Sequence, residues 1–163
     1  MKIPLTKVYF DRNEEKAVVD VLRSGWVLQG SKVEVFENRV KEYVGSKYAV
    51  AVSSGTTALY LSLKILGVGK DDEVILPSFT FIACANVVVQ VGAVPVFADI
   101  DPLTLNIDPK EIEKKITKKT KAIMVVDQIG LPADLDEVIK ICKKHKLFLL
   151  EDAACALGSI YKG

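Results

Sequence analysis

The sequence predicts an α/β fold, a mainly parallel sheet with helices on both faces. Three observations predict it. From Tyr48 onward, short continuous apolar runs alternate with longer amphipathic segments. Strands that are apolar throughout are those covered on both faces, and strand–helix alternation is the signature of parallel pairing. The chain has 163 residues, half of them hydrophobic and about a quarter charged, which suits one domain with a substantial core.

The elements follow in order. The N-terminal stretch, residues 1–46, reads as two helices. Asp11 and Glu14 have capping-box spacing, Ala17, Val18, Val21 and Leu22 recur at helical intervals, and Ser24-Gly25 ends the segment. Ser31 and Glu34 form a second capping box, with Val33, Phe36, Val40 and Tyr43 on one face and Gly45 placed as terminator. Residues 47–163 read as the sheet region. Its expected strands are 48–52, 73–76, 94–98, 122–126 and 147–150, five in all. Between them, helices are expected from Leu59 to Leu66, Phe81 to Val91, after the Asp108 cap with Pro109 at the first helical position, and along Leu135, Val138, Ile139 and Cys142.

Composition narrows the function. A formal net charge of +1 gives no general reason to expect nucleic acid. Lys114-Lys115 and Lys118-Lys119 read as a solvated face. No apolar run reaches the roughly 18 residues of a membrane span, and no apolar signal core follows Met1-Lys2-Ile3-Pro4. Cys84, Cys142 and Cys155 lack metal or disulfide spacing, so a reduced cytoplasmic setting is expected.

In a parallel sheet, ligands lie beyond the carboxyl ends of the strands, which singles out Ser53–Thr57 and Asp152–Cys155. Small residues at a helix start let an anion reach free N–H groups, so Ser53-Ser54-Gly55-Thr56-Thr57 reads either as a phosphate cradle or as a plain helix cap. It is neither a Walker A loop nor a dinucleotide fingerprint, which disfavours a nucleotide-binding oxidoreductase. Glu151-Asp152, ending a strand, could hold a cation or cap the next turn. Asp99-Ile100-Asp101 before Pro102 reads as a turn rather than a metal site. His145, the only histidine, reads as a solvated helix-end residue, so no zinc cluster or serine triad is expected. Phe79 and Phe81 read by default as core aromatics.

Five stretches, in order, carry a family resemblance: Phe36–Leu59 (FENRVKEYVGSKYAVAVSSGTTAL), Asp72–Asn86 (DEVILPSFTFIACAN), Gly92–Asp101 (GAVPVFADID), Gly130–Asp136 (GLPADLD) and Glu151–Gly163 (EDAACALGSIYKG). Together they resemble the DegT/StrS family of pyridoxal-phosphate (PLP) dependent sugar aminotransferases. The resemblance implies the N-terminal part of a type I PLP-transferase large domain, working as a homodimer. It implies amination of a keto sugar nucleotide, with glutamate or glutamine as donor, in cell-surface polysaccharide biosynthesis. Carried over by position, Gly55, Thr56 and Thr57 would hold the PLP phosphate, Phe81 would stack on the ring, Asp152 would pair with the ring nitrogen and Cys155 would lie beside the cofactor. Many relatives have His or Gln at the position of Cys155, and His at that of Asp127, which is followed here by Gln128. The family's Schiff-base lysine lies a couple of dozen residues past the aspartate. The sequence ends eleven residues past Asp152, and Lys162 does not match that lysine, so a fragment without the catalytic amine is expected. Two rivals share the fold: a PLP-dependent sugar dehydratase, which lacks the lysine, and a non-catalytic binding or regulatory module.

Overall fold

The computed structural model describes Ile3, Pro4 and residues 7–163; Met1 and Lys2, part of the N-terminal signal reading, lie outside it. The chain divides into two compact units, Met1–Ala51 and Val52–Gly163.

In the first unit, helix α1 spans Arg12–Ser24 and helix α2 spans Ser31–Val44. The first capping box forms as expected: Asp11 accepts from the Asn13 N–H at 2.6 Å, and Glu14 reaches back to the Asp11 N–H at 2.7 Å. Gly25 and Gly45 close the two helices in the left-handed conformation. The second capping box does not form. Gly30 is the N-cap, without a side-chain bond, and Ser31 is already helical. Beside this cap, the Trp26 indole N–H donates to the Gln29 carbonyl at 3.1 Å. A Cβ on Gly30 would stand 2.5 Å from that indole nitrogen, so a larger residue there would displace the indole.

The 48–52 run is not a strand, so the described sheet has four strands rather than the expected five. Tyr48 and Val50 are exposed, and the Ala51 N–H donates to the Glu37 carboxylate at 2.7 Å. β-propensity makes a strand only where a neighbour completes the ladder.

The second unit runs α3 (Gly55–Ile65), β1 (Glu73–Pro77), α4 (Ile82–Gln90), β2 (Val94–Ala98), α5 (Pro109–Lys115), β3 (Thr120–Val126), α6 (Leu135–His145), β4 (Phe148–Asp152). The sheet order is β2-β1-β3-β4 and every pairing is parallel. Strand alternation sorts the apolar residues into two cores. Val74, Leu76, Ala122, Met124 and Val126 pack with α3 and α4 through Leu59, Leu63, Cys84, Val87 and Val88. Ile75, Ile123 and Val125 pack on the other face with Ile112 of α5 and Val138, Ile141 and Cys142 of α6. Ile139 is not in that stripe; it lies on the outer side of α6, and Ile141 takes its place. α5 starts as expected, with the Asp108 carboxylate accepting from the Lys110 N–H at 2.8 Å.

Candidate functional site

The alternation that builds the two cores also decides where the acids at the end of β4 point. Leu150 joins the α3/α4 core and Leu149 the α5/α6 core. With period two, Asp152 follows Leu150 and Glu151 follows Leu149. Val126 of β3 pairs with Asp152, and the Asp127 N–H donates to the Asp152 carbonyl at 3.1 Å, fixing the strand end in register.

The Asp152 carboxylate is half-buried and held at both oxygens. Oδ2 accepts from the Cys84 thiol at 3.3 Å, and Oδ1 from the Ala154 N–H at 3.1 Å. Thr80 in turn donates to the Cys84 sulfur at 3.2 Å. Burial pushes the Cys84 thiol up to about 11, with the Asp152 hydrogen bond and charge adding to it against the Thr80 bond, so the sulfur carries its proton at neutral pH. Sequence reading placed no role on Cys84, because a buried thiol is read as a small apolar group.

The α3 start lies on the same face, since α3 packs against both α4 and β4. Ser54 is the N-cap and accepts from the Thr57 N–H at 3.1 Å. The Thr57 hydroxyl bonds the Ser53 and Ser54 hydroxyls at 3.1 and 3.0 Å, so Thr57 serves the cap. Gly55 and Thr56 are the first helical residues, ahead of the first intrahelical bond from the Ala58 N–H to the Ser54 carbonyl. Their N–H groups are the donors an anion would take. Nothing lies within 4 Å of the point where a Gly55 Cβ would stand, so a ligand could approach the backbone there.

Phe79 and Phe81 are not core residues. Phe81 is the N-cap of α4 and 74% exposed, and Phe79 is 50% exposed. Their loop must turn from β1 into α4 at the sheet edge, which leaves the rings outside both cores. Gln128 ties the loop down by donating from Nε2 to the Phe79 carbonyl at 2.6 Å. Cys155 is exposed, and its carbonyl lies 3.2 Å from the position of a Gly130 Cβ. Gly130 has φ +86°, so both its conformation and its contact favour glycine.

The opposite face carries different acids. Asp127 is 2% exposed and accepts from the Ala133 N–H at 2.8 Å. Burial, and then the neighbouring Asp127 carboxylate, push Glu151 up to about 7. Asn106, 3% exposed, accepts from the Gln128 N–H at 2.9 Å and donates to the Leu131 and Pro132 carbonyls at 2.9 and 3.1 Å. It was missed in the sequence, although a polar residue between Leu105 and Ile107 was the available signal. A cavity on this side is lined by Asn106, Asp134 and Tyr161 among others, and Asp152 is not part of it.

Lys162 pairs with Asp136 and lies 5.0 Å from the Tyr161 ring centre. The Asp136 bond pushes its ammonium above the usual lysine range, opposite to the lowering a Schiff-base amine needs. Asp101 accepts from the Leu103 N–H at 2.7 Å and closes a turn, and His145 ends α6 with Nε2 3.6 Å from the Glu113 carboxylate. Among the described residues no helix is long and apolar enough to cross a membrane.

The donor set on the α3/α4 face fits PLP: small residues at a helix start for a phosphate, an exposed aromatic for a ring and a held carboxylate for a ring nitrogen. The DegT/DnrJ/EryC1/StrS aminotransferase family profile matches residues 9–163. The spore coat polysaccharide biosynthesis protein SpsC of Bacillus subtilis is 44% identical over 160 residues, 98% of this chain and 41% of that protein. A UDP-4-amino-4-deoxy-L-arabinose–oxoglutarate aminotransferase of Shewanella sediminis is 41% identical over 161 residues, 99% of this chain and 42% of that protein. The PLP form of the putative sugar aminotransferase Spr1654 from Streptococcus pneumoniae superposes with a TM-score of 0.94 at 37% identity, over 100% of this chain and 45% of that one. The chain thus spans about two-fifths of the length of the curated relatives it matches.

Proposed function

Because this chain belongs to the DegT/DnrJ/EryC1/StrS aminotransferase family, we propose that the whole protein is a PLP-dependent enzyme moving an amino group from glutamate or glutamine to a keto sugar nucleotide. The observation that carries the reading is the Asp152 carboxylate, held at both oxygens on the face that also bears the α3 start.

PLP, when bound, supplies the electron sink for removing the proton beside the donor's amino group. Asp152 holds a proton at the ring nitrogen, because a fixed carboxylate favours the charged form of its partner. Gly55 and Thr56 bind the phosphate through backbone N–H groups at the positive end of α3. Thr57 keeps that helix start in shape. Phe81 offers an exposed ring face for stacking, and Gln128 holds its loop. Cys155, which the family resemblance would put beside the cofactor, is exposed and would bear on substrate choice. The enzyme works as a homodimer, and three free cysteines suit a cytoplasmic setting.

The test is a single-turnover measurement on the full-length protein. With PLP and glutamate but no sugar, release of 2-oxoglutarate equal to the number of enzyme sites is expected, with none when PLP is removed. Absence of a stoichiometric 2-oxo acid burst with both donors, 2-oxoglutarate from glutamate and 2-oxoglutaramate from glutamine, in a folded PLP-loaded protein, rules the aminotransferase reading out.

A further inference from the structure

We propose that Cys84 is a positioning residue for Asp152, its thiol fixing the carboxylate at the angle from which Asp152 meets the cofactor. This rests on the reading of Asp152 above and extends it to a residue that contributes nothing to that site directly.

Three observations converge on it. Cys84 is fully buried in the third position of α4, packed in the α3/α4 core, so its side chain cannot drift. Its sulfur lies 3.3 Å from Asp152 Oδ2, sixty-eight residues away in sequence, a link that joins helix to strand end. Thr80 donates to the same sulfur at 3.2 Å, so the thiol proton is left to point at Asp152. A sulfur can accept one hydrogen bond and donate another, which makes Thr80–Cys84–Asp152 a directed relay. The second carboxylate oxygen is taken by the Ala154 N–H. With both oxygens bonded, rotation of the carboxylate is restricted, the condition for a group that must meet a ligand atom from one direction. The relay also ties Asp152 to the loop that carries Phe81, since Thr80 precedes it. A shift of that loop is therefore felt at the carboxylate.

The first test needs no cofactor. The infrared S–H stretch of Cys84 is identified by its loss in Cys84→Ala. Cys142, whose thiol reaches the Phe148 carbonyl only at 4.0 Å, serves as an internal reference for a weakly bonded thiol. The Cys84 band is expected at lower frequency than that of Cys142, and Asp152→Ala in the full-length protein should move it up towards the reference. A Cys84 band indifferent to Asp152→Ala overturns the proposal.

The second test measures PLP dissociation from the full-length protein by equilibrium dialysis. A weak donor at a charged acceptor implies that Cys84→Ala weakens PLP binding by roughly 3- to 10-fold, and that Cys84→Ser, which restores a donor in nearly the same volume, recovers most of it. Thermal melts of both variants separate this from plain destabilisation, since serine at a buried site is the less stable exchange for packing yet the better one for binding. Equal PLP affinity in Cys84→Ala and wild type overturns the positioning role while leaving Asp152 as the ring partner. Wild-type PLP affinity in Asp152→Asn instead overturns the underlying reading of Asp152, and the proposal with it.

Discussion

Glu151 and Asp152 are neighbours in sequence and face opposite sides of one sheet. Asp152 turns to the α3/α4 face, where a thiol and a backbone N–H hold its carboxylate. Glu151 turns to the α5/α6 face, where burial and the carboxylate of Asp127 favour its protonated form. Strand alternation thus splits two adjacent acids into a carboxylate held by two donors and an acid whose proton is retained to higher pH than usual. The same split divides the apolar residues, so the sheet has two cores as well as two kinds of edge.

The largest stability effects should come from those cores. Leu63→Ala on α3 and Ile112→Ala on α5 each remove a fully buried side chain and should each cost about 2–5 kcal/mol in urea unfolding. Because the sheet separates them, the double variant should equal the sum within about 0.5 kcal/mol. A larger coupling would mean that the two cores are not independent.

Asn106→Ala should cost about 1–3 kcal/mol, since it removes a buried amide that bonds the Leu131 and Pro132 carbonyls and the Gln128 N–H. Hydrogen exchange at Gln128 should speed up with little change at Ala154, which belongs to the Asp152 side. Equal acceleration at both would join the two faces into one unit.

The smallest effect concerns pH. The folded-state pKa of Glu151, about 7, lies above its ordinary 4.5. Stability from its proton is complete below 4.5 and is lost as pH rises through 7. Glu151→Gln should therefore flatten the fall in stability between pH 5 and pH 8, by on the order of 1 kcal/mol given the group's partial exposure. An unchanged slope would remove the contrast between the two acids.

Much of the architecture was legible in the sequence where the cause is local. Asp11, Asp108 and the glycines at 25 and 45 announce helix ends because capping involves only residues a few positions apart. The parallel sheet was legible because continuous apolar strands alternate with helices. What failed depends on partners far away in the chain. The 48–52 run has a strand's composition and no ladder. Ser31 has a cap's composition, but the helix starts one residue earlier, with Gly30 as the cap. At the site, Asp152 and the Ser53–Thr57 turn could be read from their places at a strand end and a helix start. Phe81 was readable as a ring partner through resemblance alone, since residue type by itself suggested core. Cys84 and Asn106 could not be assigned, because their roles exist only once α4 meets β4 and the 101–108 turn meets the 127–133 loop.

The most direct test of the account compares the two neighbouring acids in the full-length protein. Asp152→Asn and Glu151→Gln are each loaded with PLP, and the rate of 2-oxoglutarate release from glutamate is measured in a single turnover. Loss of the group that stabilises developing charge predicts a fall of about 10²-fold or more for Asp152→Asn with an intact fold, and a rate near wild type for Glu151→Gln. Equal losses, or a larger loss at Glu151, would contradict the assignment of the α3/α4 face as the cofactor side of the sheet.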